Sequence, residues 1–167
     1  LFYKIDVRQH GSGNLGATNS FRILGKKAGL LVAIGDLLKG TVACFLPQLL
    51  GVAVNPMICG LLAVIGHVFP VFAGFKGGKA VATSAGIFLF LTPMGMLVGF
   101  IVFLTTVLLS KYVSLGSMLA GIAVFVYSFL YEEPSFIILS LIISVLVIIL
   151  HRQNIKRILN GTENKIR

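Results

Sequence analysis

Apolar residues fall into six long runs, at about residues 28–50, 57–72, 80–91, 94–110, 114–131 and 135–150, with short polar breaks between them. Runs of this length and apolarity predict helices that cross a lipid bilayer. The expected fold is therefore all-α, a polytopic membrane helical bundle with about six transmembrane segments. Several runs are shorter than the roughly 20 residues that a straight span needs, so some helices should be short or break near the cytoplasmic face. Broken backbone at membrane depth is tolerated only where it is buried in protein or lines a cavity. No polar linker, low-complexity tract or internal repeat separates the runs, which predicts one membrane-embedded domain over 1–167. Gly95 and Gly99 form a G-x-x-x-G on the fourth run, a spacing that permits close helix packing.

Positive charge sharpens the picture, because Lys and Arg occupy only alternate connections. Lys4, Arg8, Arg22, Lys26 and Lys27 precede the first run; Lys76 and Lys79 lie between the second and third; Lys111 lies between the fourth and fifth; Arg152, Lys156, Arg157, Lys165 and Arg167 follow the sixth. The intervening connections, at 51–56, 92–93 and 131–134, carry none. This alternation predicts that both ends, Leu1 and Arg167 included, and every basic loop face the cytoplasm.

Composition agrees. Hydrophobic residues make up 57% of the chain and charged residues 11%, against about 25% charge in a soluble domain, and the mean hydropathy is +1.00. The net charge of +9 does not indicate nucleic acid: the cations are few per loop and lack aromatic platforms. Anionic lipid head groups or phosphorylated small molecules fit them better. Cys44 and Cys59 sit in apolar runs without a further ligand pair and read as small core residues. No metal and no cofactor is called for. Lys4, Asp6 and Arg8 interrupt the start, which does not read as a cleavable signal.

Three polar islands hold the candidate chemistry. The first, Gly11 to Arg22, contains G-x-G-x-x-G, but a membrane span follows it and no βαβ unit can form, so a dinucleotide fold is excluded. What remains is either a flexible surface turn or a small-residue loop whose amides wrap an anion, with Ser12, Thr18 and Asn19 as further donors and Arg22 as a bidentate clamp. In the second, Lys76 and Lys79 flank Gly77-Gly78 where a helix begins, again an anion site or an ordinary basic turn. It is not a Walker A loop, because Ala73 stands where Gly is needed and Ala80 where Ser or Thr is needed. His67 upstream reads as a core histidine or a substrate ligand. In the third, if the last helix continues, His151, Asn154 and Ile155 share one face. Within the first run, Asp36 and Lys39 form an i, i+3 pair that either neutralises itself and fixes packing or takes part in chemistry.

In this order, the islands resemble the acyl-phosphate-dependent glycerol-3-phosphate acyltransferase family of bacteria, the PlsY family. Ser12 to Arg22 matches its motif S-G-N-x-G-A-T-N-x-x-R, His67 to Lys79 matches H-x-x-P-x-F-x-x-F-K-G-G-K, and His151 to Glu163 matches H-x-x-N-I-x-R-x-x-x-G-x-E. Gly35 to Gly40 and Tyr112 to Ser117 also look like the family. Ala80 departs from the Gly that usually follows the second motif, a methyl expected to restrict close backbone approach. The family's seven-helix form has a further transmembrane helix before the first motif, which is not among these residues.

The resemblance implies transfer of a fatty acyl group from acyl phosphate to the 1-hydroxyl of glycerol 3-phosphate, giving lysophosphatidic acid and phosphate in phospholipid biosynthesis. It implies a multi-pass protein of the bacterial inner or plasma membrane with its site facing the cytoplasm, in contact with membrane lipids and linked functionally to the enzyme that makes acyl phosphate. By motif position, Arg22, Lys79, His151 and Asn154 are the catalytic set. Ser12, Gly13, Asn14, Gly16, Thr18, Asn19, Lys76, Gly77, Gly78, Ser114 and Glu163 bind substrate. The proton acceptor is either His151 or the substrate phosphate. The His-x4-Asp pattern of acyl-CoA acyltransferases is absent after His10, His67 and His151. A transporter or channel for a phosphorylated solute is the alternative, although the candidate ligands cluster on one side.

Overall fold

The computed structural model describes residues 3–166; the cytoplasmic assignment of Leu1 and Arg167 falls on residues outside that range. The described chain is helical and forms two compact units, Leu1–Phe90 and Leu91–Arg167. The first holds α1 (Ala17–Leu24), α2 (Lys26–Leu50), α3 (Pro56–Val68) and α4 (Val81–Leu91). The second holds α5 (Pro93–Ser110), α6 (Val113–Tyr131), α7 (Pro134–Leu150) and α8 (Arg152–Leu159).

The six apolar runs are all helices, but not six equal spans. Four are long and apolar enough to cross a membrane: α2, α3 with the 3-10 turn after it (Pro56–Ala73), α5 and α6. A fifth is the pair α7–α8, bent by 55° at His151. The remaining run, α4, has 11 residues; at 1.5 Å per residue it reaches about half the thickness of a hydrocarbon core. Proline at the first turn starts α3, α5 and α7, where its missing N–H costs no hydrogen bond. Asn55 and Thr92 add side-chain caps, accepting from the amides of Met57 at 2.8 Å and Gly95 at 3.4 Å. The α2 helix stops at Gly51 in the left-handed region.

The helices turn large apolar residues outward, with Leu31, Leu109 and Phe129 respectively 70%, 81% and 67% exposed. They pack through small residues instead, as expected when lipid tails remove any hydrophobic drive for helices to associate. In the first unit, α2 meets α4 at Gly40 and Gly86: a Cβ on Gly40 would run into the Thr83 carbonyl oxygen, and one on Gly86 into that of Leu37. Thr41 Oγ1 donates to the Gly86 carbonyl at 2.9 Å across the same contact. Cys44 is a buried free thiol packed near Gly60. In the second unit, both glycines of the G-x-x-x-G face α6, with Gly99 against Val124 and Gly95 against Tyr127. Ser144 Oγ donates to the Gly121 carbonyl at 2.7 Å and ties α7 to α6.

Replacing Gly40 by Ala should lower stability by about 1–3 kcal/mol, since the added methyl meets backbone that cannot swing aside. Gly35, on the same helix with nothing within 4 Å of an added Cβ, should tolerate Ala or gain up to about 1 kcal/mol from its helix propensity. Thermal unfolding of the two variants in detergent checks both, and equal effects would refute the packing account.

Candidate functional site

In the first unit, the first island folds back on itself. Gly11 and Gly13 adopt left-handed backbone, φ 63° and 69°, which a side chain would strain. The Gly13 amide donates to the His10 carbonyl at 3.1 Å. Asn19 is 1% exposed; its Oδ1 accepts from the Ser12 amide, and its Nδ2 donates to the carbonyls of Val7 and His10. Asn14 Oδ1 accepts from the Gly16 amide at 2.8 Å. Asn14 and Asn19, expected as substrate ligands, therefore shape the loop, and the amides of Ser12, Gly13 and Gly16 are occupied by it. What the island presents is the exposed Ser12 and the opening turn of α1, whose first amides have no intrahelical partner. Thr18 and Arg22 lie four apart on that helix, on one face.

Arg8, not among the expected ligands, lines a shallow cavity of about 350 Å³ with Asp6, Gln9, Gly13 and Lys76. Asp6 holds its guanidinium, Nη2 to Oδ2 at 2.8 Å, and Arg8 Nη1 also reaches the Ala73 carbonyl at 3.4 Å. The Arg8 side-chain hydrogen bonds foremost, then its backbone amide, hold the Asp6 carboxyl down at about 2. The sequence signal was the spacing Asp-x-Arg immediately before the glycine island.

The second island closes on the end of α3. The Gly77 and Gly78 amides do not point at open space: they donate to the carbonyls of Val68 at 3.1 Å and His67 at 3.2 Å. The chain doubles back against the end of α3, and the glycines are there because a Cβ on Gly77 would meet the His67 carbonyl oxygen and one on Gly78 the His67 ring. Lys76 stands exposed before the pair and Lys79, half-buried, after it. Ala80 is buried with φ 57°; glycine suits that conformation better, so the family's Gly answers to backbone geometry.

In the second unit, the last helix does not run straight on. His151 sits at the 55° bend with φ −94° and ψ 8°, its amide shared between the carbonyls of Val147 and Ile148. His151 is 3% exposed and Asn154 6%. His151 Nδ1 lies 2.8 Å from the Val147 carbonyl oxygen; a carbonyl only accepts, so Nδ1 carries the proton and Nε2 is the basic nitrogen of the neutral ring. Beyond α8 the chain turns at Gly161 and returns to α6, where the Ile166 amide donates to the Lys111 carbonyl at 2.9 Å and Lys165 Nζ lies 5.5 Å from the Tyr112 ring centroid.

Glu163 joins these elements. Its Oε1 accepts from Ser114 Oγ at 2.7 Å and Asn154 Nδ2 at 2.6 Å, and its Oε2 from Arg157 Nε at 2.7 Å. The carboxylate ties the tail to α6 and α8 and orients Ser114 and Asn154. Burial, the largest influence on it, opposes ionisation, but the hydrogen bonds from Arg157, Asn154 and Ser114 outweigh it and hold the carboxyl below the usual range. A groove of about 280 Å³ with a wholly apolar lining, including Leu115, Met118, Ile148, Ile155 and Ile158, lies on the same unit.

Because the folded Glu163 titrates below the unfolded one, whose value is about 4.3, its stabilising share is present above that range and fades as pH falls through the folded value. Glu163→Gln should cost about 1 kcal/mol or more at pH 7, and its deficit against the unsubstituted chain should shrink on acidification. Thermal unfolding across pH 7 to 3 measures this; a deficit independent of pH would show that the charge is not what holds the tail.

A family model described as glycerol-3-phosphate acyltransferase matches residues 1–161. Glycerol-3-phosphate acyltransferase 2 of Bacillus anthracis is 67% identical over 166 residues, covering 99% of this chain and 87% of that protein. The glycerol-3-phosphate acyltransferase of Bacillus subtilis (strain 168) is 53% identical, covering 98% and 84%. Among solved structures, PlsY (YgiH), an integral membrane glycerol 3-phosphate acyltransferase, in its glycerol 3-phosphate form matches with a TM-score of 0.92 at 40% identity, over 99% of this chain and 84% of that one. Its lysophosphatidic acid form matches with a TM-score of 0.86 at 42% identity, over 94% and 82%. With motifs, helical membrane fold and near-full-length similarity in agreement, the chain belongs to the glycerol-3-phosphate acyltransferase family.

Proposed function

We propose that this chain transfers a fatty acyl group from acyl phosphate to the 1-hydroxyl of glycerol 3-phosphate. The hydroxyl oxygen attacks the acyl carbon, the ester bond forms, the bond from that carbon to the phosphate oxygen breaks, and lysophosphatidic acid and phosphate leave. The observation that carries this reading is the pair of loop-and-helix islands of the first unit, each with its own cation, Arg22 on α1 and Lys79 before α4. Two substrates that both carry phosphate require two such sites. Family membership gives no support to the transporter alternative.

In this reading Arg22, Thr18 and Ser12 hold one phosphate and Lys76 and Lys79 the other, with Gly13, Gly16, Gly77 and Gly78 keeping the loops compact. An acyl phosphate already contains a good leaving group, so no enzyme nucleophile is needed. Positioning of the hydroxyl and stabilisation of developing negative charge supply the catalysis. Asn154 and Ser114, oriented by Glu163, hold the glycerol moiety. The hydroxyl proton passes either to His151 Nε2 or to the departing phosphate. The apolar groove beside α8 suits an acyl chain, as does a site at the edge of a bilayer. Both units serve this one activity, in a bacterial plasma membrane with the basic loops in the cytoplasm. A reaction that makes acyl phosphate must supply the donor.

The test is incubation of the purified protein with labelled glycerol 3-phosphate and either acyl phosphate or acyl-CoA. Labelled lysophosphatidic acid should form with acyl phosphate alone, with phosphate released in equal amount; product from acyl-CoA would overturn the donor assignment. Arg22→Lys should lose most activity in the same assay, at least tenfold, because an ammonium cannot reproduce the planar fork of a guanidinium on phosphate.

A further inference from the structure

The roles above leave unused the most expensive polar group in the first unit. Asp36 and Lys39 lie in the otherwise apolar α2, where ionised side chains are costly and are retained for a purpose. Lys39 Nζ donates to Asp36 Oδ1 at 2.7 Å and is also hydrogen-bonded to His67 Nδ1, which lies 3.4 Å from the same Asp36 oxygen. The His67 side chain is 7% exposed. Asp36 and Lys39, both on α2, thus fix one edge of the imidazole that α3 carries.

The other edge faces the second island. An added Cβ at Gly78 would strike His67 Nε2, with the ring carbons Cε1 and Cδ2 next at 2.8 and 3.1 Å. Gly78 has no positive φ, so no backbone strain forbids a side chain there; the ring does. The Gly78 amide is bonded to the carbonyl of the same histidine. The turn between Lys76 and Lys79 is therefore seated on His67, by its backbone on one side and its ring on the other.

We propose that His67, held by Asp36 and Lys39, is a positioning residue for the reaction. Its ring is the platform that fixes the Gly77-Gly78 turn and with it the placement of Lys76 and Lys79. Glycine is required at 78 by the imidazole, not by the ligand. That the turn serves a phosphate substrate rests on the function proposed above; that it rests on the ring does not.

The test uses the full chain in lipid nanodiscs as Gly78→Ala, His67→Ala and the double variant, with kcat and KM for glycerol 3-phosphate and the rate of tryptic cleavage after Lys76 measured on each. Each single change should raise KM about tenfold with kcat altered by less than about twofold, the mark of displaced binding groups. Adding Gly78→Ala to His67→Ala should cost nothing further, because the atoms it collided with are gone. An equal penalty for Gly78→Ala in both backgrounds would overturn the proposal. The variant Asp36→Asn/Lys39→Met removes both charges together and leaves the ring unanchored; it should also raise KM, and an unchanged KM would overturn the anchoring. If the unsubstituted protein shows no acyl transfer, the proposed function fails alone. Cleavage after Lys76 then decides the platform: it should be at least several-fold faster in each single variant and no faster still in the double, and unchanged cleavage in the singles would overturn it.

Discussion

The constraint on which the rest depends is that an apolar helix can end only where something else satisfies its backbone, since lipid offers no hydrogen bonds. This chain meets it with the groups at hand. At the end of α3 the carbonyls of His67 and Val68 take the amides of Gly78 and Gly77. At the end of α7 the His151 amide and its Nδ1 serve the last carbonyls. Asn55 and Thr92 cap the helices that follow bare turns. The two breaks at which the chain itself closes the gap carry the second and third islands, so the cost of breaking a helix and the placement of its polar side chains have one solution.

Charge is arranged by the same economy. The chain has only 5 acidic residues against 14 basic ones, and four of the acids have particular tasks. Asp6 holds Arg8, Asp36 holds Lys39, and Glu163 holds Arg157, while Glu132 accepts from the Thr92 hydroxyl at 2.6 Å. The first three each lie in or beside one of the polar islands, where a carboxylate fixes a cation or a neighbouring donor without cancelling the positive field that an anionic substrate requires.

Much of this was legible in the sequence, and the remainder fails for a common reason. The apolar runs gave the helices, because composition and length suffice for that, and the order of three motifs gave the family. The G-x-x-x-G packs as its spacing suggests. What the sequence did not reveal are contacts between residues far apart along the chain. Glycines flanked by lysines look like an open anion cradle until the Val68 and His67 carbonyls are seen to occupy their amides. Glu163 is bonded to Ser114, 49 residues away. Asn14 and Asn19 are polar residues in a motif, yet their side chains build the loop that carries it. The bend at His151 has no local breaker of the Pro or Gly kind; the His151 side chain enters the helix ladder there, bonded to the Val147 carbonyl.

The central claim is that the glycine turn is formed before any substrate arrives, seated on the end of α3. Residue-resolved amide hydrogen exchange on the ligand-free protein in lipid tests it most directly. The account predicts that the Gly77 and Gly78 amides exchange slowly without phosphate and that adding glycerol 3-phosphate changes them little, because their acceptors are the chain's own carbonyls. Exchange at the rate of an unstructured loop, with protection gained only when phosphate binds, would contradict it.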